Sequence, residues 1–388
     1  MKIDQPFTRR AMIVRAGTVG GGLMALPGLL AACGGDEKNS ADTGSAGTTA
    51  PADVSGTVTM LVWQGYDDPK AYTSLTSSKD VTIKAGYLSQ NEDIITKMPK
   101  GPNGSYDMGT ILSGLFPALR DVGIPAEIDS ARIENYDDLF AEFKDSPLLP
   151  ADGKLWGVPF LWGSIALSYN VDEIQPASWY DLLDPKYKGK IALGDDVYSA
   201  TILGARLAGF SDHATELTAS ELDKVYAELA KFKDHTRGGI TANPYGEFQA
   251  MFKRGEIVAA FPDWIPTAVA ARSAGTNVDL TVPSEGAFSF VDSWLIAEEA
   301  NNPDAAYATL NQSLSPAAQA YFAQALSLGV VNEKAVTLLP AELSDAYPYD
   351  DLAAQFDAAP VYAAPPSKSD SITTYNDWLK KWEEFKAS

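Results

Sequence analysis

Short apolar runs alternate with longer amphipathic stretches along most of the chain. The first clear run, residues 58–63, reads VTMLVW and is rich in β-branched and large apolar residues, which predicts a strand. Seven later runs have the same character and predict further strands, at residues 81–85, 106–112, 166–169, 190–194, 257–261, 278–282 and 293–297. Strands therefore recur throughout the body of the chain.

Between these runs, apolar residues recur at the spacing of a helix face. The clearest case is residues 220–232, where Leu222, Val225, Tyr226, Leu229 and Phe232 fall on one side. Similar patterns predict helices at residues 303–314, 317–326 and 372–385. Short strands that alternate with helices predict an α/β fold.

The first 33 residues have the pattern of an export signal. Arg9 and Arg10 precede a short, glycine-rich apolar run that ends in the sequence LAAC, with Cys33 last. A membrane-spanning helix needs about 20 strongly apolar residues, so a cleaved signal peptide over residues 1–32 is predicted instead. The segment resembles a twin-arginine signal joined to a lipobox, and this resemblance implies lipid attachment to the sulfur of Cys33. A buried structural cysteine is the alternative.

Residues 33–55 differ in composition from everything that follows. They are mostly Gly, Ser, Thr, Ala, Asp and Asn, with almost no large apolar side chain. Such a segment does not bury enough surface to fold, which predicts a flexible tether after the lipidated cysteine. A lipid anchor with a tether of about 20 residues keeps the following domain within a few nanometres of a membrane.

Composition narrows the classes of function. The 388 residues contain 30 Lys and Arg against 51 Asp and Glu, a formal charge of −21. A field of this sign repels phosphates, so nucleic-acid binding is not expected. Cys33 is the one cysteine, and His213 and His235 are the two histidines, so neither an internal disulfide nor a Cys/His zinc site is predicted. We expect no metal and no cofactor.

Motifs for catalysis are scarce. The sequence has no G-x-S-x-G elbow, no P-loop, no G-x-G-x-x-G after a strand and no H-E-x-x-H. The many acids leave an exported hydrolase with paired carboxylates as an alternative, but acids this numerous usually form a solvated face. We therefore expect a protein that is not an enzyme.

Several tryptophans stand where loops are predicted. Trp63, Trp162 and Trp264 lie at strand ends or among Gly, Pro and Asp residues, and open α/β sheets bind their ligands at strand ends. An aromatic ring beside a carboxylate suits an alkylammonium group, because the ring face and the charge both attract it. Three other tryptophans fall in apolar patterns and are assigned to the core: Trp179, Trp378 and Trp382.

A set of segments keeps the order and spacing of a known family. They read VPFLWG at 158–163, WYDLLDPKYKGKIALGDD at 179–196, GEIVAA at 255–260, PSEGAF at 283–288 and VDSWLIA at 291–297, followed by NPDAAY at 302–307 and LSPAAQ at 314–319. Together they resemble the extracellular solute-binding proteins of ABC importers and, within these, the spermidine/putrescine-binding family. The resemblance covers about residues 57–332, most of the chain after the tether.

The resemblance implies a two-lobed, periplasmic-binding-protein-like α/β fold with a hinge between the lobes. Lobe 1 is expected to comprise residues 56–165 and about 292–340, and lobe 2 residues 166–291 and about 341–388. The chain is expected to cross between lobes near residues 162–170 and 290–293, at loop positions that absorb the backbone change on closure. Ligand then favours the closed state, which a permease reads.

What the resemblance implies for the site is a cage of aromatic, hydroxyl and carboxylate side chains: Trp63, Tyr66, Ser113 or its neighbour Gly114, Asp196, Trp264, Phe290 and Asp292. In the family, the rings at the positions of Trp63 and Trp264 stack along the alkyl chain of the ligand. The carboxylates at the positions of Asp196 and Asp292 take its ammonium groups.

These two carboxylates also have a simpler interpretation from the residues alone. Asp292 precedes Ser293 and can cap local backbone N–H groups. Asp195 and Asp196 can form a plain turn pair. Both interpretations stay open at the level of the sequence.

Three positions depart from the pattern of the family. Gly65 stands where polyamine binders usually carry an acid, Ser199 stands where a second acid is expected, and Phe290 stands where an indole is expected. Asp67 or Tyr198 can compensate for a lost ammonium partner. A shorter or singly charged amine, an amino acid-like zwitterion, a choline- or betaine-like cation or an aminophosphonate is therefore an alternative ligand.

The resemblance also implies partners and a location. The expected partners are the permease subunits of an ABC transporter, with a cytoplasmic ATPase, and the protein itself is expected to be a monomer. The expected location is extracytoplasmic, in the periplasm or at the cell surface, with the lipid on Cys33 as membrane anchor. A sensor subunit that presents its closed state to a receptor shares all these features. Ferric-ion capture is disfavoured, because the related tyrosine pair is here split into Tyr347 and Tyr349.

Overall fold

The computed structural model describes residues 54–388, apart from Gln90, Glu92, residues 99–104 and Asn243. The predicted signal peptide, residues 1–32, the lipidation site Cys33 and the tether up to residue 53 lie outside the described residues. In the described part of the chain, no helix is long and apolar enough to cross a membrane.

Twelve strands are formed in the described residues, and all the strands predicted from apolar runs are among them. The strands are β1 (Gly56–Val62), β2 (Val81–Tyr87), β3 (Met108–Leu112), β4 (Pro150–Ala151), β5 (Lys154–Leu155), β6 (Val158–Asn170), β7 (Ile191–Gly194), β8 (Thr236–Thr241), β9 (Ala259–Asp263), β10 (Val278–Thr281), β11 (Phe288–Ile296) and β12 (Gly329–Val330).

Helices fill most of the chain between the strands. They are α1 (Thr73–Ser78), α2 (Asp93–Lys97), α3 (Phe116–Asp121), α4 (Ala141–Lys144), α5 (Val197–Leu207), α6 (Ala219–Lys233), α7 (Pro244–Lys253), α8 (Ile265–Ser273), α9 (Pro303–Ser313), α10 (Pro316–Leu326), α11 (Glu333–Val336), α12 (Ala341–Ser344), α13 (Leu352–Ala358) and α14 (Tyr375–Ala387). The four helices predicted from periodicity correspond to α6, α9, α10 and α14.

Local sequence explains why α6 forms where it does. Thr218 and Glu221 make a reciprocal capping box at its start, which satisfies backbone N–H groups that have no partner within the helix. The five apolar residues predicted to share a face are all buried. Thr374 and Asp377 make the same box at the start of α14.

The large sheet has its strands in the order β2-β1-β3-β11-β6-β9-β7-β8, with β10 and β12 also paired to β6. At one end, β1 is parallel to both β2 and β3. At the other end, β7 is parallel to both β8 and β9. Two parallel groups are thus joined through the antiparallel strands β11 and β6, and we call them the first and the second half of the sheet.

Strand β6 changes partners along its 13 residues. Its first part pairs with β11, from Val158 opposite Trp294 to Ile165 opposite Phe288. Its second part pairs with β9 and β10, beginning with Ala166 opposite Asp263. β6 therefore runs continuously from the first half of the sheet into the second.

Each half of the sheet has its own buried core. The first core includes Trp162 and Trp294 and side chains of β1, α9 and α10. The second core includes Trp179, Trp378 and Trp382 and side chains of β7, α5 and α6. The assignment of these last three tryptophans to the core is confirmed, since at most 2% of each is exposed. The exact lobe boundaries remain a prediction.

Two expectations about the crossings are wrong. Trp162, predicted at a strand end, lies inside β6 with 0% of its surface exposed, and its Nε1 donates to the carbonyl oxygen of Val330 at 3.1 Å. The crossings near residues 162–170 and 290–293, predicted as loop positions, belong to β6 and β11. The reason is that both strands are paired along these residues, so their backbone groups are satisfied by sheet hydrogen bonds.

Candidate functional site

Three predicted site residues meet at the carboxyl ends of the parallel strands in the first half of the sheet, which we call the first edge. Trp63 and Ser113 directly follow the parallel strands β1 and β3, so both lie at the carboxyl ends of these strands. β11 runs antiparallel to β3 and places Asp292 opposite Leu112, the last residue of β3. The topology thus brings together residues that are far apart in sequence.

The carboxyl ends of the parallel strands in the second half form a corresponding second edge. Asp196 lies just after β7 and Trp264 directly follows β9, and these two strands are parallel. β9 ends with Asp263 opposite Ala166 of β6, whereas Asp292 lies opposite Leu161. At the rise of a strand these two levels of β6 are about 16 Å apart. The carboxyl ends of the two halves therefore point toward each other along β6.

Asp292 is the most distinctive group of the first edge. It lies at an irregularity of the β11–β6 register, between Asp292 and Ser293, and only 4% of it is exposed. The Tyr66 hydroxyl donates to Asp292 Oδ2 at 2.5 Å. Its other oxygen, Oδ1, has no hydrogen-bond partner among the described residues. No backbone cap on Asp292 is observed there, which disfavours the simpler interpretation of this residue.

Burial changes the electrostatics of Asp292. Loss of hydration raises the pKa of its carboxyl to about 6, and the hydrogen bond from Tyr66 acts in the opposite direction. A buried carboxylate with one unpartnered oxygen is stabilised by any cation that reaches it. The arrangement is therefore suited to an ammonium group.

The loop after β1 positions Tyr66 for this contact. Tyr66 N donates to the carbonyl of Trp63 at 3.1 Å, and the Tyr66 ring packs edge-on against Phe160 with centroids 5.1 Å apart. Gly65 has φ = +100°, a region that side chains rarely adopt, and a Cβ there would approach Leu326 to 3.0 Å. The backbone of this turn explains why Gly65, and not an acid, precedes Tyr66.

Trp264 and Phe290 form an aromatic pair where the two cores meet. Their ring centroids are 6.1 Å apart, and both side chains pack against the first and the second core. Phe290 lies opposite Gly163 of β6, where a Cβ would approach the Phe290 ring to 2.8 Å. Glycine at 163 thus lets the ring lie directly on the strand between the two edges.

Ser113 is engaged within the protein. Its hydroxyl donates to the carbonyl of Val291 at 3.0 Å and lies 2.7 Å from the hydroxyl of Ser293. A Cβ on the neighbouring Gly114 would approach the carbonyl oxygen of Tyr362 to 2.3 Å, so the chain near Tyr362 passes close to this loop. The two contacts of Ser113 hold the end of β3 to β11 beside Asp292.

Asp195 and Asp196 are neighbours in sequence but have different hydrogen-bond partners. Asp195 Oδ1 accepts from Trp382 Nε1 at 2.6 Å, and Lys386 lies 3.2 Å from Asp195 Oδ2, which attaches α14 to this loop. Asp196 is the N-cap of α5 and accepts from the backbone N–H of Ser199 at 3.0 Å. Asp196 is partly exposed, at the edge of the second half.

The two side chains considered as compensating groups have other surroundings. Asp67 Oδ2 accepts from the Tyr87 hydroxyl at 2.7 Å. Burial raises the pKa of the Tyr198 hydroxyl, with a further contribution from Asp196, and the Tyr198 ring lies 6.1 Å from that of Phe288. Neither contact places these groups against Asp292.

Sequence reasoning missed one acidic residue, Asp263. It is fully buried at the end of β9, and the Thr267 hydroxyl donates to its Oδ1 at 2.7 Å. Burial raises the pKa of its carboxyl to about 7, and the hydrogen bond from Thr267 acts in the opposite direction. Its Oδ2 has no hydrogen-bond partner among the described residues. The signal for it in the sequence is an aspartate at the end of an apolar run, immediately before Trp264.

Metal binding has no candidate in the part of the chain that the structure describes. No group of three or more His, Cys, Asp or Glu side chains there is placed to hold an ion.

Comparison with protein families and curated proteins gives a consistent result. The family model described as "Bacterial extracellular solute-binding protein" matches residues 70–348. The spermidine/putrescine-binding periplasmic protein of Escherichia coli is 26% identical over 301 residues, covering 77% of this chain and 84% of that protein. The spermidine/putrescine-binding periplasmic protein 1 of Haemophilus influenzae is 22% identical over 310 residues, covering 78% and 84%.

Solved structures show the same fold. The substrate-binding protein PotD of a spermidine/putrescine ABC transporter from Streptococcus pneumoniae superposes with a TM-score of 0.71, at 22% identity, over 85% of this chain and 97% of that one. A putative spermidine/putrescine ABC transporter protein from Listeria monocytogenes gives 0.68 at 21% identity, over 86% and 98%. These neighbours are two-lobed periplasmic binding proteins, which confirms the predicted fold class.

Proposed function

The chain belongs to the bacterial extracellular solute-binding proteins, whose family model covers most of its length, and from this premise we propose that it captures a polyamine or a related cationic amine for an ABC importer. The relatives are named for binding spermidine and putrescine. The name of a relative does not select a ligand for this chain, whereas its own site residues do.

The observation that carries the proposal is the state of Asp292. Its carboxyl is buried, one oxygen is bonded to Tyr66, and the other has no partner among the described residues. A buried charge of this kind costs free energy until a cation is paired with it. An ammonium group supplies both the charge and the N–H donors, and an amine ligand thereby gains affinity that a neutral solute does not.

The aromatic pair supports the same ligand class. Trp264 and Phe290 lie at the junction of the two cores, between the two strand edges. Aromatic faces attract ammonium groups and the CH₂ groups next to them. We propose that these rings cover the alkyl chain of the amine while Asp292 binds one end and Asp196 the other.

Few of the positions at which the family carries an acid have one in this chain. Gly65 and Ser199 stand where acids were expected, and Asp67 is bonded to Tyr87. Asp292 and Asp196 match two ammonium groups. We therefore expect diamines to bind at least as tightly as the triamine spermidine.

The proposal includes the partners and the location expected from the sequence. We propose that the ligand is bound without turnover and passed to the permease subunits of an ABC transporter with a cytoplasmic ATPase. We also propose that a lipid on Cys33 holds the protein at the outer side of a membrane. Mass spectrometry of the purified membrane-associated protein tests the lipid directly, because an unmodified Cys33 would contradict it.

A ligand panel tests the binding function. Putrescine, cadaverine, spermidine, spermine, choline, betaine, basic amino acids and aminophosphonates are each added to the purified protein during thermal unfolding. A ligand at 100 times its Kd adds about 2.7 kcal/mol to the free energy of unfolding, which raises Tm by a few degrees. We expect this rise with polyamines, and with Asp292→Asn we expect it to be much smaller.

Two outcomes would contradict the proposal in different ways. A rise in Tm with zwitterions alone would retain solute binding and overturn the polyamine assignment. Conversion of a bound ligand to a product, followed by chromatography over hours, would overturn binding without turnover.

A further inference from the structure

Three buried hydrogen-bonding atoms without partners occur together on strands β3 and β11. They are Thr110 Oγ1, Asp292 Oδ1 and Trp294 Nε1. The exposed fractions of these residues are 0%, 4% and 0%. Within the described residues, buried polar atoms without a partner are few, and each such atom in a native protein is normally satisfied by protein or by ordered water.

The register places these three residues side by side. Trp294 lies directly opposite Thr110, and Asp292 lies two positions along β11, opposite Leu112. Side chains two positions apart on a strand point to the same face, and directly opposite side chains have Cβ atoms about 5 Å apart. The three side chains therefore share one face of one strand pair.

Aromatic contacts confirm which face this is. Asp292 is bonded to Tyr66, whose ring lies 5.1 Å from that of Phe160. The Phe160 ring lies 4.9 Å from that of Trp294. Trp294 and Tyr66, the partner of Asp292, thus both pack against Phe160 in the first core.

The chemistry of the three atoms selects their partner. The indole N–H of Trp294 is a donor only, the carboxylate oxygen of Asp292 is an acceptor, and the hydroxyl of Thr110 is both. An ammonium group has donors only and would leave the indole N–H unsatisfied. A water molecule accepts from the indole and donates to the hydroxyl and to Asp292 Oδ1, and buried waters typically make about three such bonds. A carboxylate oxygen has two lone pairs, so Asp292 Oδ1 keeps one for the ammonium group of a ligand.

We propose that one buried water molecule binds between Thr110, Asp292 and Trp294 and holds the Asp292 carboxylate in place. Thr110 and Trp294 are then positioning residues, which act on the ligand through Asp292. This role rests on the proposed amine binding, whereas the water site itself does not. The two are therefore separable by experiment.

The first experiment measures Tm of the ligand-free protein with Thr110→Val, which keeps the shape of the side chain and removes the hydroxyl. If a water is bound, the variant loses a satisfied hydrogen bond, and Tm falls by about 1–3 °C. If the site is dry, the variant removes an unsatisfied polar atom, and Tm rises. The sign of the change thus decides between the two cases.

Thr201→Val is the matched control for this sign. Thr201 is also fully buried, and its hydroxyl lies 2.9 Å from that of Tyr226 in the second core. Replacement of Thr201 by valine removes a hydrogen bond that is present in the structure, so the Tm of this variant should fall. A fall for Thr110→Val of similar size supports the water, and a rise overturns it.

The second experiment measures putrescine affinity against pH by calorimetry. The water donates to the ionised carboxylate and stabilises its charge, so Trp294→Phe and Thr110→Val should each weaken putrescine binding about threefold to tenfold. In both variants the pH below which binding weakens should also be higher, because the carboxyl of Asp292 is then protonated more easily. Tyr66 is the titratable side chain in contact with Asp292, and the positions opposite it, Leu112 and Leu161, carry no charge. Thr110→Ser keeps the hydroxyl and should preserve the normal pH profile.

The outcomes separate this inference from the proposed function. If no amine binds to the unmodified protein, the proposed function fails while the Tm experiment still tests the water. If putrescine binds and both variants keep the normal affinity and pH profile, the positioning role of Thr110 and Trp294 is overturned. A crystal structure of the ligand-free protein that shows no density between the three side chains would overturn the water site.

Discussion

Two buried aspartates, one at each strand edge, make an instructive comparison. Asp292 of the first half and Asp263 of the second half are both at least 96% buried, and each accepts a hydrogen bond from a hydroxyl, that of Tyr66 or that of Thr267. Burial raises the pKa of both carboxyls, to about 6 and about 7. By these measures the two residues are alike.

Their surroundings differ. The partner of Asp292 comes from the loop after β1, 226 positions away in sequence, and Asp292 lies on the strand that carries the ring of Phe290. The partner of Asp263 is four positions away, in the first turn of α8. Asp263 thus ties the end of a strand to the helix that follows, whereas Asp292 lies where separate elements converge. A buried acid is therefore better evidence of a binding site when separate elements converge on it than when it links a strand to the next helix.

The largest effect that would sharpen this contrast is expected from Asp292→Asn. Loss of the charge should weaken putrescine binding by about 1–3 kcal/mol, roughly 5- to 150-fold, in calorimetric titration. Binding to the unmodified protein should also weaken about tenfold per pH unit below pH 6, because the carboxyl is then protonated. The variant should lose this pH dependence.

Asp263→Asn is the matched control for this prediction. It removes an equally buried charge, and its amine affinity at pH 7.5 should stay within about twofold of normal. If Asp263→Asn weakened binding as much as Asp292→Asn, the contrast between the two aspartates would be wrong.

A smaller effect is expected from Trp264→Ala. The lost ring contact and apolar area should weaken amine binding by about 1–2 kcal/mol, measured by the same titration. Trp264→Phe keeps an aromatic face beside Phe290 and should recover most of the affinity. Unchanged affinity for the alanine variant would remove Trp264 from the site and leave Asp292, Asp196 and Phe290 as the proposed contacts of the amine.

The last effect concerns the pH dependence of stability, and it is larger for Asp263 than for Asp292 because the pKa of Asp263 is raised further. Its pKa is raised in the folded state from 3.8 to about 7, so its contribution to stability is fully present below about pH 4 and is lost as the pH rises through 7. Asp263→Asn should therefore have a higher Tm than the unmodified protein at pH 8.5. At pH 5 the difference in Tm should be smaller than at pH 8.5, because Asp263 is still protonated in the folded protein there. A constant difference at all pH values would contradict this assignment.

Local patterns were sufficient for most elements of the fold. The apolar face of α6 and the runs that became β1 and β7 are written in neighbouring residues, and such short-range signals survive without knowledge of the rest of the chain. The prediction of a loop at the crossing segment, residues 162–170, was wrong because it also relied on neighbouring residues alone. Trp162 and Gly163 resemble a loop locally, but their pairing with β11 and β12, from distant parts of the sequence, makes them a strand.

The candidate site shows the same limit. The pattern of segments led to Trp264 and Asp292, yet Asp263, immediately before Trp264, was overlooked because its burial depends on β6 and α8 packing around it. From the sequence alone, Gly65 stands where an acid is expected. Its positive φ shows that the turn before Tyr66 requires glycine.

The sequence by itself determined the α/β class, the positions of the main strands and helices, and the residue types available for an amine, because periodicity and composition are local properties. Only the tertiary structure decided that Asp292 and Asp263 are buried with an unpartnered oxygen each, which ring lies on Gly163, and that polar atoms of Thr110 and Trp294 lie on the same face as Asp292. The physical reason is that hydration, pKa and hydrogen bonding depend on the neighbours in space, and strand order places side chains together that lie more than a hundred residues apart.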